Sequence, residues 1–360
     1  MKRHRIAKIT FHRRAIPLRR PFVISQGSIT AADNVFARIE TNTGLVGWGE
    51  ACPFPYLVGE TADTVQSVAE LLRPVLLDQS PLAIDRLVVR MDGVIKGNAT
   101  CKSMLDMALH DLAAQIAGLP LYAYLGGAND REIITDNTIS IGTPEAMAAT
   151  AQSYQQAGFT ILKVKLGGAP TEDVARIRAI RAAVGEGPTI RIDANQGWSV
   201  PEAIWVLRKL SDYNIQHCEA PIPRPLSFRL PEIREQSPVP IMADEALFDH
   251  HDAARLAKTA AVDLFNIKLC KAGGIHKARK ILAVAEAYGI PCQVGGMSES
   301  RLGTAAAAHF ALSSAQVLYY DLDMPIGHRE DPTVGEGLRI EAGGRVRVAD
   351  FPGIGVPLAD

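Results

Sequence analysis

Cysteine is scarce in this 360-residue chain, and the five present, Cys52, Cys101, Cys218, Cys270 and Cys292, are scattered. No CxxC spacing occurs, which excludes the common zinc and dithiol motifs, and an odd count argues against a disulfide framework. A reducing, cytoplasmic setting is expected. Long apolar runs are also missing. Nothing approaches the ~18 residues that cross a bilayer, and no early stretch has the form of a signal-peptide core, so a soluble protein without a membrane partner is expected. An excess of one charge is lacking too: Lys plus Arg number 38 and Asp plus Glu 39. That balance gives no field for gathering nucleic acid or anionic lipid, and leaves a small molecule as the expected partner. Finally, there is no glycine-rich fingerprint. GGAND at 126–130 and KAGGI at 271–275 spell neither a dinucleotide nor a phosphate loop, which excludes a Rossmann reading.

What is present divides into two halves, as the length requires. The first twenty residues, MKRHRIAKITFHRRAIPLRR, are basic and free of acids. A transit peptide or nucleic-acid arm has that composition. Ile6, Ile9, Phe11 and Ile16, with Pro17 ending the run, read more simply as an opening strand with solvated Arg and Lys on one side. In NVFARIETNTGLVGWGE, residues 34–50, apolar residues alternate on both sides of Asn42-Thr43-Gly44, which predicts a hairpin. Helices are predicted over 61–77 and over SMLDMALHDLAAQIAGLP, where Met104, Leu105, Ala108, Leu109, Leu112 and Ile116 recur at helical spacing before Gly118 and Pro120.

After residue 130 short apolar strands alternate with helical stretches, the grammar of parallel βαβ units. Strands are predicted around 138–141, 162–166, 190–194, 216–220, 241–244, 264–269, 293–296 and 318–321. They recur roughly every 22 to 30 residues, and eight such units match a closed (β/α)8 barrel. The last thirty residues, rich in Gly and Pro, are expected to return to the N-terminal sheet.

A parallel barrel gathers its reactive groups where the strands end. Five neighbouring strands end on a charge: Lys165 in LKVKLGG, Asp193 in RIDANQGW, Glu219 in HCEAPIP, Asp244 in IMADEALF and Lys268 in FNIKLCKAGG. Asp193, Glu219 and Asp244 fall on adjacent strands at one height, and three converging carboxylates need a hard divalent cation, best Mg2+. Asn195 and Glu245 either support those ligands from behind or serve packing. Lys165 and Lys268 flank the metal as candidate bases, which requires depressed pKa values. Lys163 shares the inward face of Lys165. It acts either as a further cation lowering the base's pKa or as the partner of a metal-ligand carboxylate. A metal-held carboxylate with a lysine on each side of the adjacent carbon defines a chemistry: one base removes the α-proton, Mg2+ stabilises the enediolate, and the other lysine returns a proton. Near the C-terminus LYYDLDMP places Asp321 and Asp323 on one face, which calls for something cationic between them.

At these residues the chain resembles the enolase superfamily, specifically its muconate-lactonizing-enzyme subgroup. KVK at 163–165, DAN at 193–195, EAP at 219–221, DE at 244–245 and NIKLCKAGGI carry the resemblance. It implies a modified (β/α)8 TIM barrel at 126–328, an α+β N-terminal capping domain at 1–125 with mobile loops near residues 20 and 50, and a segment at 329–360 returning to the cap. It also implies Mg2+ on Asp193, Glu219 and Asp244, and leaves a homo-oligomer open. Within the subgroup, the dipeptide epimerases carry an Asp-x-Asp after the eighth strand that holds the substrate's α-ammonium, here Asp321 and Asp323. WGEACPFPYLVGET at 48–61 is similar to their cap loop. Relatives acting on Ala-Glu have an arginine in the first cap loop where this chain aligns Gly27, so a C-terminal residue other than Glu is expected, an apolar one given Phe22, Ile24, Phe54 and Tyr56. Ser298, in GGMSES, is a candidate lining residue. The expected activity is epimerisation of the C-terminal residue of a dipeptide. The alternatives are a racemase or epimerase of N-acylamino acids or betaines, or a cycloisomerase or dehydratase of the same subgroup.

Overall fold

Three sheets carry the chain in the computed structural model, which describes residues 4–359. The first is an antiparallel sheet of Ile6–Ile24, Gly27–Thr41 and Val46–Ala51, with a tight turn at Gly44, whose φ is 84°. Of the basic N-terminal run, residues 1–3 lie outside the described residues. The strand does not stop at Pro17. It runs on to Ile24, but pairing slips between Pro17 and Phe22, because Pro17 and Pro21 offer no N–H to the ladder. The segment between them bulges outward and carries Arg19 and Arg20.

Helices Ala62–Leu76, Ile84–Val94 and Ala99–Ala117 cover one face of this sheet. The last lies directly on Val46–Ala51. Side chains at Gly47 and Gly49 would run into the helix backbone at Ala108 and Met104, so the GWG stretch permits the close approach. Glu50, at the end of this strand, links cap to barrel. It accepts hydrogen bonds from Ser300 N (2.8 Å), Ser300 Oγ (2.6 Å) and Gly303 N (2.8 Å) at the start of helix Arg301–Leu312, and from Asn34 Nδ2 (2.7 Å).

The second sheet has eight parallel strands in sequence order: Asn137–Ile139, Ile161–Lys165, Thr189–Asp193, Ile215–Glu219, Ile241–Ala243, Leu264–Ile267, Cys292–Gly295 and Val317–Asp321. Among the described residues no ladder joins the first to the eighth. Side chains close that seam: Thr138 N donates to Asp323 Oδ2 (2.7 Å), Leu322 N to Thr135 Oγ1 (2.7 Å), and Arg191 Nη1 to both Asp136 Oδ2 and Tyr320 O (2.9 Å each). Three strands are shorter than predicted. The first ends at Ile139 since Ile141 N turns to Val23 O in the cap (3.1 Å), leaving the barrel ladder. Asp244 and Lys268 fall just past their strands, each opening a turn or short helix.

The C-terminal tail does not extend the N-terminal sheet. Leu338–Ile340 and Arg345–Val348 pair with Ile133–Ile134 as the third sheet, and the chain then reaches the cap's long helix, where Ile354 N donates to Asp111 Oδ1 (2.8 Å). His309 holds the junction from the barrel side. Its Nδ1 accepts from Tyr122 N (3.2 Å) and its Nε2 donates to Ile354 O (3.4 Å), a pair of bonds that one neutral tautomer satisfies. Burial pushes this imidazole down to about 4. The unfolded chain therefore binds the extra proton first, and stability falls as pH drops from 6.5 towards 4, by up to about 3 kcal/mol. Over that window the melting temperature is expected to fall less steeply in His309→Gln than in the parent, as read by calorimetry across pH.

Candidate active site

Alternation along a strand places residues i and i+2 on one face, and the register of the second to fourth barrel strands aligns their ends. Lys165 pairs in register with Asp193, and Asp193 with Glu219. Asp321 lies in register with Gly295 on the seventh strand. The polar strand ends thus meet at one level, and all are buried: Lys163, Lys165, Asp193, Glu219, Asp244, Lys268, Asp321 and Asp323 are each at most 5% exposed.

Their contacts form one network. Lys165 Nζ lies 2.7 Å from Asp193 Oδ2, and Lys268 Nζ lies 2.8 Å from Asp244 Oδ2. Lys163 Nζ reaches three acids: Asp321 at 2.7 Å, Glu219 at 2.8 Å and Asp193 at 3.2 Å. Of the two roles considered for Lys163, the carboxylate partner is the one its contacts display. Asn195 N donates to Asp193 Oδ1 (2.9 Å), and its amide reaches Glu245 Oε1 at 3.5 Å.

Four further residues, not singled out from the sequence, complete the network. Asn266 Nδ2 donates to Glu219 Oε1 (2.7 Å). Lys271 Nζ lies 3.0 Å from Asp244 Oδ1 and donates to three carbonyls, of Asp244, Leu247 and Asn266. Arg191 pairs with Asp136, and Asp136, Asp321 and Asp323 each bring a carboxylate oxygen within 4.8 Å of the others. The signal for Arg191 and Asn266 was the period of two, since they precede Asp193 and Lys268 as Lys163 precedes Lys165.

The electrostatics follow from burial and proximity. Burial opposes the charge on Lys163, yet Asp321, Glu219 and Asp193 hold its pKa well above the usual lysine value. Lys268 is likewise opposed by burial and raised by Asp244 and Glu219. The direction these anions give Lys268 is thus upward, opposite to the depression expected of a base. Among the acids, burial and then Asp193 push Glu219 up to about 7, and burial and then Asp244 push Glu245 up to about 8. Asp321, despite burial, is drawn down to about 2 by Lys163, whereas burial and the Asp321 charge lift Asp323 to about 6.

Counting the groups shows what the site asks for. Seven buried carboxylates, Asp136, Asp193, Glu219, Asp244, Glu245, Asp321 and Asp323, face five buried cations, Lys163, Lys165, Arg191, Lys268 and Lys271. Glu219 Oε2 and both Asp244 oxygens accept no well-directed hydrogen bond, although ammonium groups lie within 3.0 Å. Oxygen-only donors and orphaned lone pairs fit Mg2+ on Asp193, Glu219 and Asp244. The group of Asp136, Asp321 and Asp323 has Lys163 and Arg191 beside it.

Cap residues close the site. Phe22, Ile24, Phe54 and Leu57 meet Met297 and Met324 over Lys165 and Lys268, leaving a cavity of only about 20 Å³. The Phe22 ring sits 5.6 Å from Lys165 Nζ. Ser25 Oγ ties the hairpin tip to the third strand by donating to Asn195 O (2.8 Å). Gly27 is overlaid by Tyr56: a Cβ there would come within 2.6 Å of Tyr56 Cζ. Ser298 is held by Cys52 Sγ and Asn34, and it lines a second cavity rather than this one.

Two family models cover the chain: the mandelate racemase/muconate lactonizing enzyme N-terminal domain over residues 6–126, and the enolase C-terminal domain-like family over 146–360. The chain belongs to this family. Among its members, the D-Ala-D/L-Ala epimerase of Cytophaga hutchinsonii is 47% identical over 97% of this chain and 95% of its own. The crystal structure of the dipeptide epimerase from that organism, with Mg and D-Ala-L-Val, superposes with a TM-score of 0.97 at 46% identity, covering 99% of this chain and 96% of that one. The hydrophobic dipeptide epimerase of Enterococcus faecalis is 38% identical over 95% of this chain and 96% of its own. The family's two-part architecture, an N-terminal antiparallel sheet beside an eight-stranded near-barrel, is the one described above.

If Asp193, Glu219 and Asp244 are the metal site of this family member, saturating Mg2+ adds about 2.7 kcal/mol at a hundredfold excess over Kd. The expected rise in melting temperature is about 3–4 °C. Glu219→Gln should abolish it and Asp323→Asn should keep it; the reverse pattern would move the metal to the Asp136 group.

Proposed function

We propose that this chain is a Mg2+-dependent dipeptide epimerase that inverts the α-carbon of the C-terminal residue by two-base 1,1-proton transfer. The observation that carries the reading is the buried acidic group of Asp136, Asp321 and Asp323, whose member Asp321 lines the same chamber as Lys165 and Lys268. A zwitterion is the ligand that satisfies both ends. Its ammonium answers the acidic group on the seam, and its carboxylate lies toward Asp193, Glu219 and Asp244.

Magnesium, when bound there, supplies positive charge beside the substrate carboxylate and so acidifies the adjacent C–H. The rest is the work of this chain's own groups. Lys165 on the second strand and Lys268 after the sixth approach the α-carbon from opposite sides, so a proton taken by one Nζ and returned by the other inverts the centre. Lys163 holds Asp193, Glu219 and Asp321 together and stays protonated. Phe22 and Phe54 exclude water while the carbon is deprotonated. The apolar surroundings, Phe22, Ile24, Phe54, Leu57, Met297 and Met324, support an apolar C-terminal side chain, and Tyr56 over Gly27 fills the place from which a cation would reach an acidic one. The same reading assigns residues 1–125 to the cap, 126–328 to the catalytic barrel and 329–360 to the returning segment. It places the protein in the cytoplasm, which five free, buried cysteines support. Among the described residues no helix is long and apolar enough to cross a membrane.

In D2O with Mg2+, deuterium should enter the C-terminal α-position of alanyl dipeptides with apolar second residues. Lys165→Ala should lose exchange from one epimer and Lys268→Ala from the other; exchange retained by both variants would end the two-base mechanism. Asp323→Asn should cost free-amine dipeptides about 1.5–3 kcal/mol in kcat/KM and leave N-acetylated ones no worse. Exchange of N-acyl amino acids alone would favour the racemase reading.

A further inference from the structure

Beside the narrow chamber over the lysines lies a much larger cavity, of about 360 Å³, that the mechanism does not use. It opens on the seam between the first and eighth barrel strands. Phe22, Thr138 and Met324 line both spaces, and Asp323 stands at the inner end of the larger one. The first barrel strand and helix Pro144–Gln156 form one wall, and the bulge between Pro17 and Phe22 forms the roof. The volume is in the range of small-ligand sites. A methyl group would leave it almost entirely to water.

Its polarity runs in one direction. At the inner end is Asp323, with Thr138 N donating to it at 2.7 Å. Next comes Tyr154, whose hydroxyl donates to Thr138 O at 3.4 Å. Burial and the Asp323 charge raise this phenol while Arg20 lowers it, so the hydroxyl lies within electrostatic reach of both. At the outer rim are Arg19 and Arg20. Arg19 is anchored through Nε to His328 O (2.8 Å), and Arg20 has no ion-pair or hydrogen-bond partner among the described residues. The two prolines that break the ladder are what put both guanidinium groups there.

We propose that this cavity takes the side chain of the substrate's N-terminal residue, and that Arg20 at its rim favours an acidic one. The inference rests on the dipeptide reading. Once the ammonium is held at Asp321 and Asp323, the N-terminal Cα stands at the cavity's inner end and its side chain has this space to enter. Among the described residues Asp323 is the one acid lining the cavity; with it occupied by the ammonium, the charges left there are the two arginines. A carboxylate on a side chain of two or three carbons meets them favourably; an ammonium does not. Each half of the substrate thus meets different chemistry, apolar at the C-terminal residue and cationic at the end of the N-terminal one.

The test is a matched series, Glu-Val, Gln-Val, Lys-Val and Ala-Val, with the N-terminal residue in both configurations, assayed by deuterium entry at the valine α-carbon. Glu should exceed Gln in kcat/KM by about three- to fivefold, the scale of a solvent-exposed ion pair, with the difference in KM. Arg20→Gln should bring that ratio to about one, and Arg20→Glu should place Lys above Gln. Because the pair is exposed, raising the salt concentration should shrink the wild-type ratio with no substitution made. Exchange of Ala-Val with a Glu-to-Gln ratio of one or less, or a ratio that survives Arg20→Gln, overturns the subsite and leaves the epimerase reading standing. No exchange in any member overturns both.

Discussion

Keeping seven carboxylates buried together at the end of one barrel is the constraint on which the rest of this structure depends. An uncompensated buried charge costs several kcal/mol, so the strand ends must alternate acids with bases closely enough for each to find a partner. Lys163 is the central case, reaching acids on the third, fourth and eighth strands at once. Remove it, and the acidic group that suits an ammonium and the group that suits a dication face each other unscreened. Arg191 does the same from one layer deeper, and in doing so also closes the seam that the backbone leaves unpaired. Stability and chemistry here draw on the same residues.

The cap completes this arrangement mechanically. The hairpin tip is fastened to the barrel by Ser25 on one side and by Arg19 on the other, and Glu50 binds the second cap segment to the start of a barrel helix. The roof is therefore held through Asn195 O at the site's edge and through His328 O and the helix start away from it, not by the side chains it presents over the lysines. That separation lets the roof vary in the side chains it presents without disturbing the lysines and acids beneath.

Much of this was legible in the sequence, because strand ends announce themselves: an apolar run that stops on Lys165, Asp193 or Glu219 locates both the strand and its functional end. Lys163 followed from the period of two; Asp323, read the same way, lies past the end of the eighth strand and meets Asp321 through the turn that opens helix Met324–Gly327. The helix Ile84–Val94 shows apolar residues at 84, 87, 88 and 91 and is within reach of the same reasoning. Other parts are not written locally. Lys271 matters through two carbonyls of one turn, Asp244 and Leu247, and one of the sixth strand, Asn266, and Asp136 through a contact across a seam that only closure of the sheet creates. The strand that passes Pro17 is decided by its pairing with Gly27–Thr41, a tertiary fact that overrides the local stop signal. The tail's route along residues 133–134 is likewise a matter of what surface the finished barrel leaves uncovered.

The Gly27–Tyr56 contact bears on how such a protein changes its diet. The aromatic ring occupies the volume that any side chain at position 27 would need. A side chain placed there must turn the ring aside, and Tyr56, half-exposed, has solvent to turn into. The two positions are neighbours whose effects are not expected to add. A change of substrate at this edge of the pocket would then be read in position 27 and the ring together, with the lysines and acids beneath untouched.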